Sequence, residues 1–453
     1  MEVQTAMLTT DVNVRLVAIA RTTFDTELAH QLAVQVRSSL LEAGISLKGA
    51  EAFVSELDEA QNISQELAED PPDLLVLLQA TFADSTLAVQ LAGNMESAVL
   101  LWGLPETPTG GRLRLNSLCG INLAAHAFKR QAIDYYYVFA APDDSAAVQL
   151  VQTLAAAGRV RRLLSGARIG RVGENPVGFD SCQFDANALA SLLGVTIVQI
   201  SLERVFQLAR EADSKSVDEL YRGLQRKLKG LEELDLSAVR RTLAGYLALR
   251  QIANDEQLGG LGVQCWPQFF TELECAACGA MSMLSDELTP CSCEADINGT
   301  ITQLILQTLS GQPAFGSDLV AADTEADTAV LWHCGLAPLS MADTSVPAKG
   351  TIHSNRKLPL LMEFALKPGR ITVARLSESG GRFRFVLGTA DVKKAPLSFS
   401  GTSGVVQFKR PISDVLDTIL REGLEHHFSI TYGDHVSALK ALTKQLGLEV
   451  VDL

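Results

Sequence analysis

Two acids, a histidine pair and a basic loop are the residues of this chain whose types and spacing could do chemistry. Glu272 and Asp296 lie within QCWPQFFTELECAACGAMSMLSDELTPCSCEADING (Gln264–Gly299), on either side of a helix-like run. Acids so separated converge on one hard cation, or serve as base and acid on adjacent carbons, only if the chain folds back between them. His426 and His427 open the segment HHFSITYGDH, which holds three of the chain's 7 histidines. A strand starting there points the pair to opposite faces, so at most one ligates directly. His333 closes another strand-like run, in LWHCGLAP. In TIHSNRK, His353 precedes Ser354, Asn355, Arg356 and Lys357, a group suited to hydroxyls or to an anion.

Other motifs carry less. Cys275-x-x-Cys278 followed by Cys291-x-Cys293 has a spacing that admits zinc. No Gly or Pro shapes a knuckle inside CAAC, however, and Ala276, Ala277, Ala280, Met281, Met283 and Leu284 continue a buried helix, so buried thiols are expected. GRVG (Gly170–Gly173) lacks the full dinucleotide fingerprint and reads as a turn at a cleft mouth, where Arg171 or Phe179 could touch a ligand. Glu294-x-Asp296-x-Asn298-Gly299 leads into TITQLILQTL as a helix cap. That role is compatible with a metal site, because a capping carboxylate keeps its charge and its place. No serine-hydrolase elbow, P-loop or Schiff-base lysine context is present. The set favours metal-assisted proton transfer over nucleophilic catalysis.

The elements that must position these groups follow from hydrophobic patterning. Short apolar runs at Val14–Ala20, Leu74–Leu78, Ala98–Trp102 and Asp134–Phe139, each followed by a helical pattern, predict a parallel sheet in residues 1–160. A second unit, 161–290, begins around Ala167–Phe179 and adds a strand at Leu193–Ile200. Its last strand, Gly259–Trp266, delivers Gln264, Cys265 and Trp266 to the carboxyl end of a sheet, where ligands bind in open α/β folds. In 291–453 short alternating runs take over from about Gly311: Ala329–His333, Gly350–His353, Arg370–Leu376, Arg382–Gly388 and Val405–Phe408. They predict a barrel or sandwich. The fold class is α/β, with two Rossmann- or flavodoxin-like domains followed by a β-rich, barrel-like C-terminal domain.

A length of 453 residues calls for two or three domains, and the 47% apolar and 20% charged fractions are those of a globular protein. A net charge of -15 argues against a nucleic-acid surface. The N-terminus lacks the pattern of a secretory signal, and no apolar run reaches the roughly 18 residues that span a bilayer. Reduced thiols and a cytoplasmic setting are the expectation.

The segments VQCWPQF, CGAMSML, CEADING, VLWHCGLAP, IHSNRK and GLEHHFSITYGDH occur in an order similar to that of the L-fucose/L-arabinose isomerase superfamily. The chain resembles its shorter fucose-isomerase-like members along its whole length. The resemblance implies aldose–ketose isomerisation of an open-chain sugar through a cis-enediol, on a fucose-, arabinose- or 6-substituted-hexose-like substrate. It implies Mn²⁺ or another divalent cation held by Glu272, Asp296 and His427, with the two acids exchanging the proton. Trp266, Gln268, Asn355, Arg356 and His426 would bind substrate; Arg21 would reach a neighbouring subunit's site in a homo-oligomer, trimer or hexamer. A sugar-binding or regulatory protein, or an epimerase or lyase sharing the enediolate, is the alternative.

Overall fold

Strand segments that are apolar throughout, such as LLVLLQ and AVLLWG, bury both faces, which is the signature of parallel sheets covered by helices on each side. The structure, a computed structural model, describes residues 12–49, 53–93 and 95–453. Within the unit Thr10–Arg162, the strands run in the order Leu47–Lys48, Val14–Ile19, Leu74–Gln79, Ala98–Gly103, Tyr136–Phe139, with Phe53–Val54 also paired to Val14–Ile19. Every pairing is parallel. The buried Asp73 anchors this unit. It accepts from Arg162 Nε at 2.6 Å and Nη2 at 3.0 Å, and from the Asn13 backbone N–H at 2.7 Å.

The unit Leu163–Leu453 contains a smaller parallel sheet in the order Cys291–Ser292, Gly260–Val263, Arg168–Val172, Thr196–Ile200. The boundary expected at 290 runs along this sheet, since Cys291–Ser292 is one of its strands. The remaining strands form a barrel, running through Thr402–Phe408, Thr328–His333, Phe315–Asp323, His427–Tyr432, Gly369–Ser379 and Arg382–Val392. It closes where Arg382–Val392 pairs back onto Thr402–Phe408. Closure removes the free edges that an open sheet would expose. Pro359–Ala365 joins outside this ring beside Thr402–Phe408, and Glu449–Asp452 joins beside Arg382–Val392.

Helix Ile297–Ser310 links the two layers of this unit. It is buried along nearly its whole length and packs against Gly260–Val263 on one side and the barrel strands His427–Tyr432 and Gly369–Ser379 on the other. Its apolar residues pack into both layers, and the buried hydroxyls of Thr300, Thr302 and Thr308 donate to carbonyls four residues back. Its N-cap is Asp296, whose Oδ1 accepts the Gly299 N–H at 2.9 Å. Residue 299 must be glycine, because any Cβ there would collide with that carboxylate. Among the described residues, no helix is long and apolar enough to cross a membrane.

Candidate active site

A cavity of about 290 Å³ opens where the ends of the parallel strands meet the barrel, lined by Trp266, Glu294, Asp318, His333, Asn355, Arg356, His426 and His427 among others. Its polar wall begins with a backbone anomaly. Glu294 and Ala295 both have left-handed φ, 59° and 54°, directly after the strand Cys291–Ser292. For non-glycine residues each such conformation costs on the order of 1 kcal/mol and persists only where surroundings enforce it. Asn175 supplies the enforcement: its Nδ2 lies 3.0 Å from the Glu294 carbonyl and 3.1 Å from that of Ala295. The turn aims the Glu294 side chain at the histidines.

His427 is fixed from behind. Its Nδ1 is 3.0 Å from Asp296 Oδ2, and a carboxylate can only accept, so the proton sits on Nδ1 and the Nε2 lone pair is free. Nε2 lies 3.6 Å from Asp318 Oδ1 and 4.0 Å from Glu294 Oε2. Asp318 and His427 are directly opposed residues on neighbouring antiparallel strands, which places their side chains on one face of the barrel wall. A carboxylate–imidazole pair presenting a bare nitrogen is the arrangement that orients histidine ligands in metal sites.

Asp296 itself is saturated. Besides the helix N–H and His427, it is paired with Arg375, which is 0% exposed. Burial pushes the Asp296 carboxyl up, but the Arg375 guanidinium and His427 more than reverse this and hold it well below the usual carboxylate range. Burial likewise raises Glu294, and the hydrogen bonds with His426 and from the Trp266 N–H bring it below its ordinary value. His426 touches Ser181 Oγ through Nδ1 at 2.7 Å and Glu294 Oε2 through Nε2 at 3.3 Å. Burial pulls it down, while Glu294, Asp318 and Asp296 outweigh that and raise it.

A divalent cation fits this wall. Glu294, His426, His427 and Cys182 form one group of potential ligand atoms within 4.8 Å of one another, and Asp318, His333 and His427 form a second. Asp318 Oδ1 is buried without a hydrogen-bond partner, an acceptor that a cation would satisfy. Two of these residues are poor ligands. The Cys182 thiol is pushed up by burial and by the carboxylates of Asp296 and Glu294, so it stays protonated. The Cys334 backbone N–H meets His333 Nδ1 at 2.8 Å, making Nδ1 the acceptor and leaving the proton on the other nitrogen. What remains, the carboxylates of Glu294 and Asp318 and the imidazoles of His426 and His427, is an oxygen-and-nitrogen donor set without thiolate, which suits a hard divalent cation rather than a soft metal.

The structure brings some expected residues together and separates others. Trp266, Asn355, Arg356, His426 and His427 line the cavity. Arg356 lies over the rings of Trp266 and Phe270, 4.7 and 5.2 Å from their centroids, which holds its charge at the wall. Asp296 is behind His427 and does not line the cavity. Glu272 is not brought to the group at all: it is exposed, at the C-terminal end of the short helix Gln268–Thr271, and Glu294 occupies the position expected of it. Gln268 accepts from Gln264 Nε2 at 2.9 Å and also lies outside the lining. Arg21 belongs to the unit Thr10–Arg162, where it pairs with Asp84 and donates to the Ser55 carbonyl at 2.7 Å. Of the CAAC and CSC cysteines, Cys278 and Cys293 line the cavity and Cys275 and Cys291 are buried away from it.

Residues 15–168 match the N-terminal domain of the fucose/sulfoquinovose isomerase family. Sulfoquinovose isomerase of Priestia megaterium is 31% identical over 436 residues, covering 96% of this chain and 97% of the relative. That of Alkalicoccus urumqiensis is 29% identical with 96% and 98% coverage, and that of a Clostridium species is 32% identical with 83% and 86% coverage. Similarity that runs nearly end to end takes in the barrel and the cavity as well as the N-terminal sheet, and by it the chain belongs to the fucose/sulfoquinovose isomerase family.

Proposed function

We propose that this chain interconverts the aldose and ketose forms of a hexose carrying a sulfonate at C6, through a cis-enediol, with a divalent cation held by His427, Glu294 and Asp318. The aldose–ketose isomerase class comes with the family; the substrate is that named for the relatives. One observation carries the reading: a single cavity holds both a hard-ligand cluster and Arg356, the one permanent cation among the described residues lining it. A guanidinium matches a sulfonate by charge and by paired N–H donors.

A bound cation would polarise the sugar carbonyl and acidify the proton on C2. The protein's own residues do the rest. Glu294, kept ionised by His426 and Trp266, is the base that takes the proton from C2 and returns it to C1. Asp296 and Arg375 hold His427 in its ligating tautomer. Phe179 and Trp266, with ring centroids 5.5 Å apart, offer an apolar wall to the sugar's C–H face, and Asn355 and Arg356 hold the far end. In the same reading the cation is manganese or a similar ion, the two parallel sheets are separate Rossmann-like domains, and the working form is a cytoplasmic homo-oligomer. Arg21 then reaches the site of a neighbouring subunit in that oligomer, and Gln268 acts on substrate once released from Gln264.

The test is NMR of 6-deoxy-6-sulfoglucose incubated with the protein and Mn²⁺ in D₂O. The 6-sulfo ketose with deuterium at C1 is expected. A C2 epimer or a cleaved product would replace isomerisation with the epimerase or lyase reading, and binding without turnover would make the chain a sugar-binding protein.

A further inference from the structure

The wall of the cavity contains four cysteines that the isomerisation does not use. Cys265, Cys278, Cys293 and Cys334 all line it, and their sulfurs form one cluster: Cys265 meets Cys293 at 2.8 Å, Cys278 meets Cys334 at 3.3 Å, and Cys334 also interacts with Cys293. They come from four separate elements, namely the end of strand Gly260–Val263, the start of helix Cys278–Asp286 and the ends of strands Cys291–Ser292 and Thr328–His333. Such convergence of thiols is not a consequence of sequence proximity. Cys334 differs from the other three in being partly exposed, whereas they are buried. It also has an imidazole nitrogen beside it, His333 Nδ1 at 3.2 Å.

We propose that Cys334 and Cys278 are a reversible oxidation site for hydrogen peroxide entering the cavity. Cys334 is the sulfur that such a molecule meets first, being the one of the four that is partly exposed. Cys334 Sγ bonds to one peroxide oxygen, the O–O bond breaks, and the departing hydroxide takes the thiol proton to become water. The Cys334 sulfenic acid is then attacked by Cys278 Sγ; the S–O bond breaks, and the second hydroxide leaves as water with the Cys278 proton. Two thiols are oxidised by two electrons in all, and one peroxide is reduced to two waters. The sulfurs need to close by little more than 1 Å to reach the roughly 2.05 Å of a disulfide.

This is a statement about sulfur, so its readout is mass and it is independent of the substrate assignment. The reduced full-length protein is exposed to a few equivalents of hydrogen peroxide, blocked with N-ethylmaleimide and digested with pepsin at low pH. Trypsin would leave six cysteines on the single peptide 251–349. The expected product is a Cys278–Cys334 cross-link, two hydrogens lighter, that dithiothreitol abolishes. Cys278→Ser is expected to leave a Cys334 sulfenic acid that dimedone traps. A Cys293–Cys334 or Cys265–Cys293 cross-link in its place would overturn the assignment, as would oxidation confined to the exposed Cys119, or Cys334 recovered only as thiol or as sulfonic acid. The wild-type map decides the matter even if the serine variant fails to fold.

Discussion

Asp296 Oδ2 lies 3.0 Å from His427 Nδ1 and is paired on its other side with the fully buried Arg375, so one carboxylate serves a helix cap, a buried ion pair and a site imidazole at once. Losing its charge leaves the buried guanidinium with only Glu425, 4.0 Å from its Nε, as counter-ion. Asp296→Asn is expected to cost about 3–5 kcal/mol of stability, the range for breaking a buried pair from one side. It is also expected to weaken Mn²⁺ binding roughly 10–100-fold by releasing His427. Urea unfolding and calorimetric metal titration measure the two losses separately.

The same charge sets a pH signature. The folded Asp296 carboxyl lies below its value in the unfolded chain, so the unfolded state binds the proton first on acidification. The stability it contributes is complete above the ordinary carboxylate pKa of about 4 and is lost as pH falls towards the folded value. The stability gap between wild type and Asp296→Asn should therefore be constant from pH 7 to 5 and narrow below pH ~4. A gap independent of pH across that range would show that the carboxylate charge is not what Arg375 needs.

Glu294 and Glu272 provide a paired test. Glu294→Gln keeps the shape of the turn but removes the base, and turnover should fall at least ~100-fold with the fold intact. Glu272→Gln, on an exposed helix end, should retain turnover within about a factor of two, as surface changes usually do. Steady-state kinetics with circular dichroism on both variants would exchange their roles if the ordering came out reversed.

Arg356 should sort substrates. Arg356→Gln is expected to lower kcat/KM for a 6-sulfo aldose by roughly 10–100-fold, from the ~1.5–3 kcal/mol of a hydrogen bond to a charged group. The unsulfonated parent sugar should be turned over at nearly the wild-type rate. Equal losses on both sugars would place Arg356 in the wall's packing with Trp266 and Phe270.

Asp318 reports on the cation without catalysis. Mn²⁺ at 100 times its dissociation constant should stabilise the chelator-treated protein by about 2.7 kcal/mol. Asp318→Asn should reduce that increment while leaving the metal-free melting temperature near wild type, since Oδ1 has no hydrogen-bond partner to lose. Differential scanning calorimetry with and without metal gives both numbers.

Much of the scaffold was legible because burial writes itself into periodicity. The run Leu74–Leu78 is the buried strand Leu74–Gln79, and Arg382–Gly388 lies within Arg382–Val392. Phe315–Asp323 escaped notice because its later half, LVAAD, is half-exposed and ends in two alanines and an acid. Pro359–Ala365 escaped because it starts with proline and reads as a continuous apolar run without alternation. At the site, His427 and Arg356 could be picked from their motifs, but Asp318 lay in an unremarked strand. Glu294 read as part of a cap, since nothing local reveals that its backbone is left-handed. Arg375 lies in the run Arg370–Leu376, and nothing in that run reveals its partner, Asp296, 79 positions away. Spacing along the chain ranks neighbouring acids equally; only the turn decides which of Glu272, Glu294 and Asp296 reaches the cavity.

Because Asp318 and His427 face each other as a cross-strand pair, their meeting is encoded in hydrogen-bond register. A single residue gained or lost within Phe315–Asp323 or His427–Tyr432 would turn one of them to the opposite face and dismantle the pair without altering either side chain. Length variation among natural or designed versions of this protein should accordingly gather in connections such as the turn at 324–327 and leave those two strands free of indels.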